Sequence, residues 1–219
     1  MRKATNKLHV KPPWFNPELS CLLYKKGQFI FSENNRVEGL FWICKGKVLI
    51  SKTGGLKREQ IIRFVNEGNF IGCHFLLHST TYSVSAKTLE DSHICFIDGY
   101  TFFKFQEHLT GFSMAIMYQL TADIKDVELN ITKMAQKSVR ERTAEVLLSL
   151  ETFYGMKEDG NTINMSLKRN EIANTVGSAT ESVSRVLSDF KEKKWIDIDA
   201  KEIKILNRKQ LSDLAHSSM

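Results

Sequence analysis

The chain is poor in the features that would place it in many functional classes. Its four cysteines, Cys21, Cys44, Cys73 and Cys95, stand more than 20 residues apart and form no C-x-x-C pair. Zinc and iron–sulfur sites are usually built on tighter pairs, so we expect no metal and read the cysteines as reduced, mostly buried thiols. No apolar run approaches the roughly 20 residues needed to cross a bilayer. The opening stretch MRKATNKLHVKPPWF is basic but lacks the apolar centre and small-residue cleavage site of a signal peptide. These absences point to a cytoplasmic protein with no membrane partner. There is no G-x-S-x-G, no P-loop and no G-x-G-x-x-G, and no nucleophile stands beside a base, so an enzyme is excluded. Proline is scarce too, with three in 219 residues. Between Thr101 and Tyr154 there is none, and Gly111 is the lone glycine there.

What is present divides the chain into two textures. From about 22 to 98, LLYKKGQFIF, GLFWICKGKVLISKTGG, EQIIRFVNEGNFIG and TYSVSAKTLEDSHICFID are β-branched and aromatic stretches punctuated by glycine. Short strands at this spacing predict an antiparallel barrel or roll. The glycine-poor region then carries Phe112, Ile116, Leu120, Ile124, Val127, Ile131 and Met134 at helical spacing. That predicts a helix of about 25 residues, long for a globular domain, and its apolar stripe reads as a dimer seam. A second helix, SVRERTAEVLLSLETFYG, follows a break near Gln136–Ser138 and stops at Gly155. The expected class is α+β, with three regions: an antiparallel β-roll over 1–108, a dimerisation helix and hinge over 109–137, and a C-terminal domain over 138–219.

The DNA-binding expectation rests on KRNEIANTVGSATESVSRVLSDFKEKKWIDIDAKEIKILN. A first helix holds Ile172, Ala173 and Val176, and Gly177 lets the backbone turn sharply. A second helix starts at Ser178, with Ser178-x-x-Glu181 as a capping box. Its Val183, Val186, Leu187 and Phe190 face the core, which leaves Thr180, Glu181, Ser184 and Arg185 outside. Trp195-Ile-Asp-Ile, a turn at Asp199–Lys201 and Glu-Ile-Lys-Ile-Leu complete a β-hairpin, which makes a winged helix-turn-helix. A helix entering the major groove needs small outward residues and others that reach base edges: arginine takes guanine O6 and N7, glutamate accepts from cytosine N4. The plainer alternative is that Glu181 caps the helix and Arg185 pairs with it four residues on. The net charge of +6 suits a polyanion. Yet residues 137–219 hold 14 basic and 13 acidic side chains, against 17 and 12 in residues 1–136. The fold must therefore concentrate charge locally, through Lys168, Arg169, Arg185, Lys191, Lys193 and Lys194.

On these residues the chain resembles the Crp/Fnr superfamily of bacterial transcription regulators. The resemblance covers nearly all of residues 20–207 and is most specific in RNEIANTVGSATESVSRVLSDFKEKKWI and in the EGNFIG and SAKTLEDSHICFID segments. It implies a cyclic-nucleotide-binding-like β-roll, a long dimerisation helix and a C-terminal winged helix-turn-helix. It also implies a homodimer on a palindromic operator in double-stranded DNA, and leaves RNA polymerase open as a further partner. Glu181-x-x-Ser184-Arg185 is similar to the Fnr-type recognition signature, which implies TTGAT-like half-sites. Thr180 stands where the cyclic-AMP branch has arginine, which weakens the case for a TGTGA-type site. Lys168, Arg169 and Ser178 join these as the expected DNA contacts.

The same resemblance places a degenerate effector pocket at Gly72, Cys73, Thr80, Thr81, Val127 and Glu128. The cyclic-nucleotide branch needs an acid for the ribose and an arginine for the phosphate; Cys73 and Thr80 stand at those positions. No arginine or lysine lies between Arg63 and Lys87. A buried phosphate without a cation costs several kcal/mol, so cyclic AMP is not expected. The Fnr branch's iron–sulfur cluster is not expected either, since Cys21 stands alone. Haem through Cys73, His74 and His78, or another small effector, is the alternative; otherwise no cofactor is expected.

Overall fold

The computed structural model describes residues 21–55, 59–166 and 168–217. Two four-stranded antiparallel sheets form the N-terminal roll. The first runs in the order β1 (Cys21–Tyr24), β8 (Ser92–Asp98), β3 (Gly39–Lys45), β6 (Phe70–Ile71). The second runs β2 (Phe29–Phe31), β7 (Ser85–Thr88), β4 (Lys47–Thr53), β5 (Glu59–Asn66). A short helix α1 (Cys73–His78) follows β6.

The middle strand β3 is buried over Gly39–Ile43 because its two faces serve two cores. Phe41 and Ile43 point into the roll, with Phe31, Val48, Ile50, Val65, Phe75 and Tyr82. Leu40 and Trp42 point the other way, toward α2 (Gly99–His108) and α3 (Thr110–Gln136). This is the period-two alternation of a strand, with both sides apolar. Asp98 starts α2 by accepting from the Thr101 N–H at 3.0 Å.

Helix α3 is 27 residues long. Its expected seam divides. Phe112 and Ile116 are buried in the core beneath the roll, and Leu120 packs against that core. Phe112 and Ile116 hold the helix to its own domain and are not available as a dimer surface, which corrects the expectation for these two; Leu120 is half-buried. Ile124, Val127, Ile131 and Met134 are exposed, as are Met117 and Tyr118. Periodicity identifies an apolar face but not the partner that covers each part of it.

The C-terminal region packs around a third core. Helix α4 (Val139–Tyr154) begins with the capping box of Ser138 and Glu141. Helices α5 (Arg169–Val176) and α6 (Thr180–Glu192), the hairpin β9 (Ile196–Asp199)–β10 (Glu202–Ile205) and α7 (Arg208–Ala215) complete it. Ala144, Leu147, Leu150, Ile172, Ala173, Val183, Leu187, Phe190 and Ile203 are buried together there. The two regions touch. Gln60 of β5 donates to the Asn174 carbonyl at 2.8 Å, and Phe64 stacks near Phe153, with ring centroids 5.1 Å apart.

The cysteines depart from expectation. Cys21 and Cys95 face each other across β1 and β8 and are joined by a disulfide, and Cys44 lies beside them. Cys73 is the buried thiol that was expected. Cross-strand register brings the first three together, and the linear spacing hides it.

Candidate nucleic-acid interface

Helices α5 and α6 meet through a turn of three residues. Gly177 ends α5 in the left-handed region, at φ 70° and ψ 45°. A side chain there would be strained, which explains the glycine. Ala173 and Val176 of α5 are buried against Val183 and Leu187 of α6 in one core. The expected cap is displaced: α6 begins at Thr180, with Ala179 at the cap and no side-chain hydrogen bond. Ser178 lies in the turn, so the Ser178–Glu181 capping box is not formed.

Glu181 stands in the first turn of α6, where a carboxylate suits the helix N-terminus, but it closes no capping box. Glu181, Arg185 and Ser188 are exposed, at a spacing of four and then three, which puts them on one face. Thr180, Ser178 and Ser184 flank them, half-buried. Among the described residues, neither Glu181 nor Arg185 makes a hydrogen bond or ion pair with another side chain. The cations expected around this face divide into two groups. Lys191 pairs with Asp197 at 2.8 Å and Lys193 with Asp189 at 3.2 Å. Asp189 also takes Arg140 at 2.5 Å; the Arg140 hydrogen bond leads in holding its carboxyl below the usual range. Lys168, Arg169, Arg185 and Lys194 are exposed and enter no ion pair among the described residues. Asp189 and Asp197 are thus engaged by Arg140, Lys191 and Lys193. Lys201 adds an exposed cation at the hairpin tip, a position the turn prediction located without assigning it a role.

The comparisons with known proteins bear on this arrangement. A family model for the cyclic nucleotide-binding domain matches residues 22–108, and one for the Crp-like helix-turn-helix domain matches residues 141–214. The chain belongs to the Crp/Fnr family of transcription regulators. It is 28% identical over 192 residues to the transcriptional activator protein anr of Pseudomonas aeruginosa, covering 87% of this chain and 78% of that protein. It is 23% identical over 196 residues to a CRP-like cAMP-activated global transcriptional regulator of Mycobacterium tuberculosis, covering 89% and 88%. The crystal structure of a putative Crp/Fnr regulator from Eubacterium rectale superposes with a TM-score of 0.78 at 20% identity, covering 90% of each chain. The relatives are regulators, a non-enzymatic family.

In this Crp/Fnr regulator the hinge between α3 and α4 is clamped by residues that the sequence reading missed. Lys137 is buried and donates to Glu145 at 2.9 Å and to the Ala215 carbonyl at 2.7 Å. Arg142 donates to the Lys137 carbonyl at 2.8 Å and to the Val176 carbonyl at 3.2 Å. Burial pushes the Glu145 carboxyl up, but hydrogen bonds from Lys133 and Lys137 outweigh it and hold the group below its usual range. The sequence signal was a lysine placed where the helix breaks.

The expected effector residues differ in exposure. Gly72 and Cys73 are buried, and burial, the largest effect, pushes the Cys73 thiol up to about 12. Thr80 and Thr81 are exposed on the wall of a recess that runs from Leu76 to Ser83. Val127 and Glu128 are exposed on α3. The interior of the roll is occupied by Tyr82, which stacks 4.0 Å from Phe31 and donates to the Gly39 carbonyl at 2.8 Å. Arg63 is ion-paired with Asp123 of α3. The proposed haem ligands also separate: Cys73 faces the core while His74 and His78 are exposed. Among the described residues they do not form a ligating group. The statement that Cys21 stands alone is likewise corrected, since Cys44 and Cys95 accompany it.

Proposed function

We propose that this regulator binds a palindromic operator as a homodimer, reads TTGAT-like half-sites with α6, and does so without cyclic AMP. The observation that carries the reading is the exposed face of Glu181 and Arg185, which form no ion pair among the described residues, flanked by Ser178, Thr180 and Ser184. A charged side chain with no intramolecular partner has no internal pair to break on meeting a base edge, so only hydration and side-chain freedom are given up. Arg185 suits guanine and Glu181 suits cytosine N4. Lys168, Arg169 and Lys201 serve the backbone phosphates, which position the protein without selecting sequence.

Dimerisation is supported by the distal stripe of α3. Ile124, Val127, Ile131 and Met134 are spaced three, four and three residues apart, the spacing of a coiled-coil seam, and are 62%, 52%, 66% and 46% exposed in the single chain. Independence from cyclic AMP is supported by two features of the roll: Tyr82 occupies its interior, and Arg63 is already neutralised by Asp123. A second reading, a small neutral effector, is favoured by the recess whose wall carries the hydroxyls of Ser79, Thr80, Thr81 and Ser83.

The test is selection of binding sites from random duplex DNA by the purified, ligand-free protein at a stated salt concentration. The expected result is a two-fold sequence with TTGAT-like arms whose centres lie one helical turn, about 10 bp, apart. A folded dimer that enriches nothing would overturn effector-independent binding and favour the recess reading. Enrichment of a single unrepeated arm would overturn the dimer.

A further inference from the structure

Three sulfurs converge in the β1-β8-β3-β6 sheet, beside its edge strand β1. Cys21 on the edge strand β1 is in register with Cys95 on β8. Cys44 falls at the irregularity in the β3–β8 ladder, where Ile43 pairs with Ile94 and Lys45 with His93. It is the extra residue of a β-bulge, a device that re-aims a side chain. The Cys44 Sγ lies 2.7 Å from the Cys95 Sγ and 3.8 Å from the Cys21 Sγ. All three sulfurs lie within 4.8 Å of one another, and among the described residues no imidazole or carboxylate joins the group. Cys21 is exposed, Cys44 half-buried and Cys95 buried. The cluster is open to solvent on one side and floored by the apolar layer of Leu40, Trp42 and Ile97 on the other.

We propose that the reduced chain binds one soft, thiophilic ion through the thiolates of Cys21, Cys44 and Cys95. A donor set of sulfur alone selects copper(I) or zinc over the harder divalent ions. Copper(I) is the better match, because three thiolates complete its shell whereas structural zinc takes a fourth ligand. Metal–sulfur bonds of about 2.3 Å place neighbouring sulfurs roughly 4 Å apart, the separation Cys21 and Cys44 already have. A dithiol reductant supplies two electrons and two protons to the Cys21–Cys95 bridge, itself closing to a disulfide, and leaves two thiols. The arriving ion then displaces the three thiol protons into solvent. The bridged chain retains one thiol of the three and does not hold the ion.

The full-length protein, reduced with excess dithiol and then desalted without oxygen, is titrated with copper(I) against a chromophoric copper(I) chelator. A parallel titration uses zinc. The expected result is one copper(I) per chain in the wild type and in Cys73→Ser. Cys21→Ser and Cys44→Ser should each bind more than tenfold more weakly, since even an outer-shell partner of a metal ligand is worth about 10–100-fold. Protein first oxidised with diamide, which accepts the two electrons and two protons of Cys21 and Cys95, should bind none. Cys21→Ser and Cys44→Ser alter side chains outside the fully buried core, Cys73→Ser alters one within it, and circular dichroism checks that all three variants fold. Failure of the reduced wild type to retain copper(I), or undiminished binding in Cys21→Ser and Cys44→Ser, would overturn the assignment. Retention of zinc with no retention of copper(I) would overturn the three-coordinate reading.

Discussion

Arg185→Ala separates recognition from folding because of how Arg185 sits. The side chain is exposed and has no ion pair or hydrogen bond among the described residues. Surface substitutions away from such features stay within about 0.5 kcal/mol, so the melting midpoint should hardly move. A bidentate arginine–guanine contact discriminates by about 1–3 kcal/mol, which at 1.4 kcal/mol per decade is about 5- to 150-fold in Kd. The assay is a fluorescence-anisotropy titration against the selected operator and against random duplex, each at several salt concentrations. The operator Kd should rise by that factor while binding to random duplex changes little. The slope of log affinity against log salt should also be unchanged, because a base contact releases no phosphate counterion. Equal losses on both duplexes, with the slope falling by about one, would show that Arg185 touches phosphate and would refute the assignment of α6 residues to bases.

Three further outcomes follow from the packing. Ile124→Asp with Ile131→Asp sets charges into the distal stripe of α3 and should give monomers in sedimentation velocity with operator binding lost; a stable dimer would place the seam elsewhere. Lys137→Met removes the buried ammonium that serves Glu145 and the Ala215 carbonyl, and should cost about 1–3 kcal/mol in urea unfolding because buried acceptors are left unsatisfied; a neutral result would mean the hinge is held by Arg142 alone. Glu145 is held below its ordinary value of 4.5, so its contribution is present above that pH and lost as pH falls through the depressed folded value. Glu145→Gln should therefore destabilise at neutral pH, with the difference shrinking as pH falls below about 4.5 and through the depressed folded value; a difference unchanged down to acid denaturation would show that the carboxylate charge is not its source.

The helix-turn-helix was legible because its rules are local. Gly177 announces the left-handed residue, and the spacing of Val183, Leu187 and Phe190 fixes which side of α6 is buried. The exact start of α6 was not legible, since Ser178, Ala179 and Thr180 are all suitable neighbours of a helix end and tertiary packing chose between them. Strand β3 gave no clean alternation because Leu40 and Trp42 serve one core while Phe41 and Ile43 serve another. The α3 stripe was legible as a stripe, but Phe112 and Ile131 carry the same signal and meet different surroundings. The cysteine cluster was invisible because it depends on the register of β1 with β8 and on a one-residue bulge at Cys44, and neither leaves a trace in linear spacing.

The contact between β5 and α5 has a consequence for how a signal crosses this molecule. Gln60 holds the Asn174 carbonyl, and Phe64 meets Phe153, so the roll and the helix-turn-helix head share a boundary. Any ligand of the roll that altered this boundary would be felt by the head, and the exchange is reciprocal in free energy. DNA that altered the same boundary from the other side would by the same amount change affinity for anything bound in the roll. Gln60 is the residue at which that exchange is open to test, because its amide spans the boundary.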